Sequence, residues 1–208
     1  MNDARRALLK AFAALAGAAA AGCDRISRSP EVARILEKAE PVNRVLQRML
    51  GGRRSMAQEF TLQDLSPTFR SNGTSDPDTE EYDALAADGF AQWRLTVGGL
   101  VAQPLSLSLA ELRALPSRTQ ITRHDCVEGW SAIGQWTGVP LARVLELARP
   151  APGARFVVFH CADLMEGTEE SRYYESIDMD DALHPQTLLA YELNGKPLPV
   201  PNGAPLRL

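Results

Sequence analysis

The chain has 208 residues, 45% of them hydrophobic and 23% charged, with a formal net charge of −4. That is enough apolar material for one domain with a full core, and the mild acidic balance gives no reason to expect nucleic acid as a partner. Three cysteines are poor material for a disulfide framework, although a Cys126–Cys161 bridge stays open in an oxidising compartment.

Residues 1–22 read as an export signal. Ala4-Arg5-Arg6-Ala7-Leu8-Leu9-Lys10 is a charged start, and an Ala-rich apolar run follows to Gly22. The run is short of the ~20 residues that comfortably span a bilayer. The paired arginines resemble a twin-arginine signal, which carries folded proteins and suits a cofactor inserted before export. The alternative is a basic start on an ordinary helix. Ala21-Gly22-Cys23 resembles a lipoprotein cleavage site without its usual leucine, so a lipid anchor at Cys23 stays open.

Residues 23–60 form a helical arm or linker. Val32, Ile35, Leu36 and Ala39, then Val42, Val45, Leu46 and Met49, recur at helical spacing. Pro41 falls between the two sets and is expected to kink or restart the helix. The arm packs on the domain, spaces it from a membrane, or is simply a solvated amphipathic helix.

Residues 61–208 read as one α+β domain. Trp93, Leu95 and Val97 alternate before Gly98-Gly99, a strand and turn. Ser108 and Glu111 are spaced as a capping box opening a short helix. Thr119 to Thr122 reads as a strand that leaves Cys126 on a loop at its end. Pro140 suits the first turn of a helix, in which Leu141, Val144, Leu145 and Ala148 share a face. Ala154 to His160 reads as a buried strand, Thr187 to Leu193 as another, and Asn194-Gly195 is a strong hairpin signal.

The most informative stretch is Arg123-His124-Asp125-Cys126-Val127-Glu128-Gly129-Trp130. A packing cysteine has apolar neighbours. This one is flanked by a cation, an imidazole and two carboxylates. Nearby negative charge disfavours a simple nucleophilic thiolate, whereas a metal's own charge deprotonates a coordinating thiol. Metal ligand, nucleophile or redox thiol, and inert structure all remain open on these residues alone.

Several motifs stand together in a fixed order: Phe69-Arg-Ser-Asn72-Gly73, the Cys126-to-Trp130 block, Trp136-Thr137-Gly138, His184-Pro185-Gln186-Thr187-Leu188, and Asn202-Gly203-Ala204-Pro205-Leu206-Arg207-Leu208. With them the region from Phe69 to Leu208 closely resembles the molybdopterin-binding domain of the sulfite oxidase superfamily. Its bacterial branch includes the periplasmic methionine sulfoxide reductase catalytic subunit. The resemblance implies a mixed-sheet, β-rich α+β fold and a molybdenum-molybdopterin (Mo-MPT) cofactor. It implies that Cys126 is the metal ligand, with Glu128 and Arg123 beside it. Asn72, Asn202 and Arg207 match cofactor contacts, Arg207 being suited to a phosphate. Cys161 stands where the branch has a threonine at the cofactor. His184 forms part of the pterin pocket or starts a helix. Glu128 either relays protons, if burial raises its pKa, or braces the cysteine loop. Trp130 and Trp136 are pocket walls.

Two departures stand out. Asp125 replaces a basic residue of the branch, so two carboxylates flank the thiol and sulfite is a poor substrate. The family also continues beyond Leu208 with a strand and a basic segment, so the domain is expected to be C-terminally incomplete. The leading expectation is an exported molybdenum oxidoreductase that transfers oxygen atoms, as in reduction of a small S- or N-oxide. No Cys-x-x-Cys-His haem signature is present, so its electrons come from another protein, and the resemblance points to a membrane haem subunit. The alternatives are an exported binding module that keeps the fold without functional metal, and a thiol enzyme using Cys126 with His124.

Overall fold

A computed structural model describes residues 29–51, 55–71, 73–165 and 171–208. The expected signal, Cys23 and Asn72 lie outside the described residues. The chain divides into two compact units, Met1–Ser55 and Met56–Leu208.

The described part of the first unit is one helix, α1 (Pro30–Gly51), with Pro41 inside it. The sequence suggests a kink or a restart at Pro41. The helix does not restart: it continues through that residue, losing one backbone bond and keeping its apolar spacing.

The second unit contains α2 (Glu80–Ala87), β1 (Arg94–Val97), β2 (Leu105–Ser108), α3 (Leu109–Ala114), β3 (Arg118–Cys126), β4 (Trp130–Pro140), α4 (Leu141–Ala148), β5 (Phe156–Leu164), β6 (Arg172–Asp178), α5 (Met179–Ala182), β7 (Leu188–Leu193) and β8 (Lys196–Pro197). The strands form sheets ordered β1-β2, β3-β4-β7-β8 and β5-β6. The α+β class is as expected. Every strand pairing among the described residues is antiparallel, not mixed.

Local chemistry explains the elements that matter for the site. Ser108 and Glu111 make the capping box at the start of α3, satisfying amides that have no partner inside the helix. On α4, Leu141, Val144, Leu145 and Ala148 are all buried. Leu141, Val144 and Leu145 join Leu112, Val139, Ala182 and Leu189 in the main core, where each large aliphatic side chain contributes about 1.5–3 kcal/mol by leaving water. The sheet carrying β3 and β4 is thereby fixed from behind.

Two other expectations change. β5 is half-buried and alternates, leaving Phe156 and Val158 exposed, because its two-stranded sheet is covered on one face. His184 follows the end of α5, where its N–H donates to Asp181. It closes a helix and does not start one, and Pro185 bars continuation.

Candidate active site

Cys126 is the last residue of β3, paired with Trp130 across a three-residue turn, Val127-Glu128-Gly129. Gly129 adopts φ +86° and its N–H donates to the Cys126 carbonyl at 3.0 Å. Only glycine takes this left-handed position without strain, which explains its place in the block. The thiol is therefore mounted on a strand end and not on a free loop.

Alternation along β3 and β4 sorts the neighbours. Gln120, Thr122, His124 and Cys126 share one face with Trp130, Ala132, Gly134 and Trp136, their partners in register. Arg123 and Asp125 point to the other face and are exposed. There Arg123 Nε donates to Asp125 at 2.9 and 3.1 Å, and the Ser131 hydroxyl donates to the same carboxylate. These bonds hold the Asp125 carboxyl below the usual carboxylate range. The structure thus does not bring Arg123 or Asp125 to the thiol. The expectation that Asp125 charges the reacting face is corrected by the strand's period of two.

The face that carries Cys126 is aromatic. Phe69 lies over Gly134, where an added Cβ would come within 2.8 Å of its ring. Its ring meets His124, Trp130 and Trp136 edge-on at centroid distances of 5.9, 6.1 and 5.1 Å. His124 stacks on Trp130 at 5.7 Å. Burial, and then the charge of Arg207, push the His124 pKa down, so the imidazole is neutral at neutral pH. The two side chains do share a face of β3, but a cysteine–imidazolium pair would raise this pKa, and the direction is the opposite.

Arg207 supplies positive charge on this face. Burial lowers its pKa, and the proximity of Cys126 raises it. Its guanidinium lies 5.4 Å from the Trp136 ring centroid and donates to the Asn202 carbonyl at 3.1 Å. Its backbone pairs with Ala190 of β7. Asn202 is buried, and its amide nitrogen approaches the Arg70 carbonyl at 3.4 Å. Tyr82 on α2 donates its hydroxyl to the Ala204 carbonyl at 2.8 Å, pinning the loop that carries both residues.

Glu128 is exposed and accepts from the Gly73 N–H and from Trp130 Nε1, each at 3.2 Å. These bonds lower its carboxyl pKa. A proton relay needs the opposite shift. The geometry supports the bracing role: Glu128 ties the cysteine turn to the segment that carries Phe69 and Arg70.

The region from Tyr82 onward carries a recognisable pattern. Residues 83–208 match the family described as "Oxidoreductase molybdopterin binding domain". The chain belongs to this family. It is 46% identical over 133 residues to a putative protein-methionine-sulfoxide reductase subunit, YedZ1, of Azospira oryzae, covering 64% of this chain and 45% of that protein. It is 36% identical over 214 residues to the protein-methionine-sulfoxide reductase catalytic subunit MsrP of Xanthomonas axonopodis pv. citri, covering 98% of this chain and 63% of that protein. The sulfane dehydrogenase SoxCD of Paracoccus pantotrophus superposes with a TM-score of 0.50 at 24% identity, covering 56% of this chain and 33% of that one, a likeness of fold. The chain thus spans less than two thirds of the length of these curated relatives.

The residues fit the family's cofactor. Among the described residues no group of three or more His, Cys, Asp or Glu side chains is placed to hold a metal. The face that carries the soft Cys126 thiol also carries the half-buried Arg207 guanidinium over Trp136, and the buried Asn202 carboxamide stands on the same loop as Arg207. Such a donor set suits a metal that arrives with its other sulfur ligands already in place, carried by an anionic organic group.

The remaining candidates, Cys161 and His184, make no contact with Cys126 among the described residues. Cys161 is a free, half-buried thiol. Burial, Asp163 and Glu175 push its pKa up, and both acids belong to its own β5–β6 hairpin. His184 lies toward the other end of β3: Gln186, whose N–H donates to His184 Nδ1, takes a bond from Gln120. Gln120 and Cys126 are six positions apart, about 20 Å of strand. Phe69, Arg70 and Tyr82 are the residues that sequence reasoning gave no role. Phe69 and Arg70 stand inside a quoted motif, whereas Tyr82 gave no signal beyond being the one aromatic on a polar helix.

Proposed function

We propose that this domain reduces a small neutral S- or N-oxide, as part of a protein exported by the twin-arginine route to the periplasm and supplied with electrons by a membrane haem protein or another carrier. The observation that carries the reading is the uncharged aromatic wall of Phe69, neutral His124 and Trp130 beside Cys126. Such a wall suits a thioether-like group, since sulfur packs favourably against aromatic rings. The names of the two curated relatives point to the same chemistry.

In the overall reaction a sulfoxide takes up two protons and two electrons and yields a thioether and water. One sulfur–oxygen bond breaks, and the oxygen leaves in the water. Cys126 would bind molybdenum through its thiolate, while Arg207 and Asn202 would hold the anionic end of the pterin. When bound, the cofactor supplies the two-electron redox chemistry. The chain's own residues do the positioning. Arg207 places a cation over Trp136, on the face that carries Cys126, Glu128 holds the cysteine turn against the Phe69 segment, and the aromatic rings keep bulk water from one side of the site.

Steady-state assays of metal-loaded, full-length protein with a reduced dye as donor test this. Turnover of methionine sulfoxide or a simple N-oxide, with little sulfite oxidation, is expected. Efficient sulfite oxidation with no sulfoxide reduction would refute it.

A further inference from the structure

α1 carries a broad apolar stripe that nothing covers among the described residues of its own unit. Ile35, Leu36, Val42, Leu46, Met49 and Leu50 each leave more than half their surface in solvent. At 100° per residue these positions fall within one arc centred near Ala39, interrupted by Asn43 and, in the first turn, by Glu31. Arg34, Glu37, Pro41 and Arg44 lie on the opposite side. The stripe is wider than the two-position seam of a coiled coil, and an interior proline disturbs the sustained 3.5-residue repeat that a coiled coil needs. The helix is also not apolar enough to cross a membrane.

Charge narrows the choice of occupant. Residues 23–55, which follow the expected export signal, hold eight Lys and Arg against four Asp and Glu, a net +4, whereas Met56–Leu208 holds eleven against 21, a net −10. A basic segment bearing a wide apolar face on one helix has the composition of helices that lie in the headgroup region of an anionic bilayer.

We propose that α1 is an interfacial helix that docks the protein on an anionic phospholipid surface. Its stripe enters the acyl boundary while Arg34, Lys38 and Arg44 stay at headgroup level, their aliphatic stems lying along the surface. The acidic Met56–Leu208 unit is repelled by the same surface, which favours attachment through the helix alone. The proposal does not depend on the reaction assigned to Cys126.

The test uses the exported form, without residues 1–22 and carrying Cys23→Ser, so that neither the apolar run of the signal nor an acyl chain contributes. Flotation with vesicles of phosphatidylglycerol and phosphatidylethanolamine is compared with flotation on phosphatidylcholine alone. Binding to the anionic vesicles is expected, with weakening as salt rises. Ile35→Glu with Leu46→Glu should reduce the partition coefficient on the order of 100-fold, since two buried aliphatic contacts are replaced by charge. A parallel double substitution on the polar face, Glu37→Gln with Arg44→Lys, should bind at least as well as the parent, which separates lost stripe contacts from general damage. Three results overturn the proposal: no flotation, flotation unaffected by the two glutamates, or a dimer by analytical ultracentrifugation that Val42→Glu dissociates in a protein that does not float.

Discussion

Gly134→Ala puts one methyl group where the Phe69 ring now lies. The added Cβ would stand 2.8 and 2.9 Å from Phe69 Cδ2 and Cε2, and 3.1 Å from Leu193 Cδ1. Ordinary contact begins about half an ångström further out, so the ring must tilt or withdraw. Phe69 makes three edge-on contacts, with His124, Trp130 and Trp136, each worth about 0.5–1.5 kcal/mol. A tilted ring keeps some of them, so the expected cost is about 1–3 kcal/mol, within the usual range for overpacking. In a domain of this size that lowers Tm by about 2–4 °C per kcal/mol. Gly138→Ala is the comparison. Its Cβ would lie 2.2 Å from the Leu189 carbonyl oxygen and 2.5 Å from Ala190 Cα, both backbone atoms that cannot rotate away. Gly138→Ala should therefore cost more than Gly134→Ala. Urea denaturation followed by tryptophan fluorescence measures both. The Gly134 variant should also change its near-ultraviolet circular dichroism, because Phe69 touches Trp130 and Trp136. Equal stabilities, or an unchanged aromatic spectrum in Gly134→Ala, would refute the placement of Phe69 over β4.

Two further outcomes follow from the electrostatics. Glu128 has a lowered pKa in the folded state, so its bracing contribution is present above the ordinary glutamate range and is lost as pH falls through the lowered value. The protection factor of the Gly73 amide, its exchange relative to the unstructured rate at the same pH, should fall on that acid side, and Glu128→Gln should show low protection already at neutral pH; protection unchanged by the substitution would count against the brace. Asp125→Asn should alter turnover by less than about threefold, since its charge is spent on Arg123 and Ser131 across the strand and screened pairs of this kind contribute little. A large change in substrate preference would place Asp125 at the reacting face after all.

Much of the fold is legible because local chemistry decides it. Ser108 and Glu111 announce α3 by their spacing, Leu141 to Ala148 announce α4 by periodicity, and Asn194-Gly195 supplies the two positive-φ residues of the β7–β8 turn. The end of β3 is less obvious. Its charged residues suggest a loop, yet Arg123 and Asp125 alternate with His124 and Cys126, the period of a strand with one wet face. Extending the strand to Cys126 puts Arg123 and Asp125 on the far side from the thiol. Phe156 and Val158 read as buried because a run of apolar residues does not say how many faces a sheet covers. The seat of Phe69 on Gly134, and the Tyr82 bond that steadies the Arg207 loop, join residues 65 and 122 positions apart. No local pattern carries such pairings. Legibility of the Cys126 block comes from its combination with distant motifs, since the block alone leaves three roles open.

The central claim is that Cys126, with Arg207 and Asn202, holds a molybdenum-bearing pterin. Elemental analysis of full-length protein purified from molybdate-replete cells tests it most directly. The account expects molybdenum and phosphorus in near-stoichiometric amounts with the chain, molybdenum lost in Cys126→Ser, and both elements reduced in Arg207→Gln, each variant retaining the circular dichroism of the parent. Folded parent protein without molybdenum, or a Cys126→Ser variant that keeps its full complement, would contradict it.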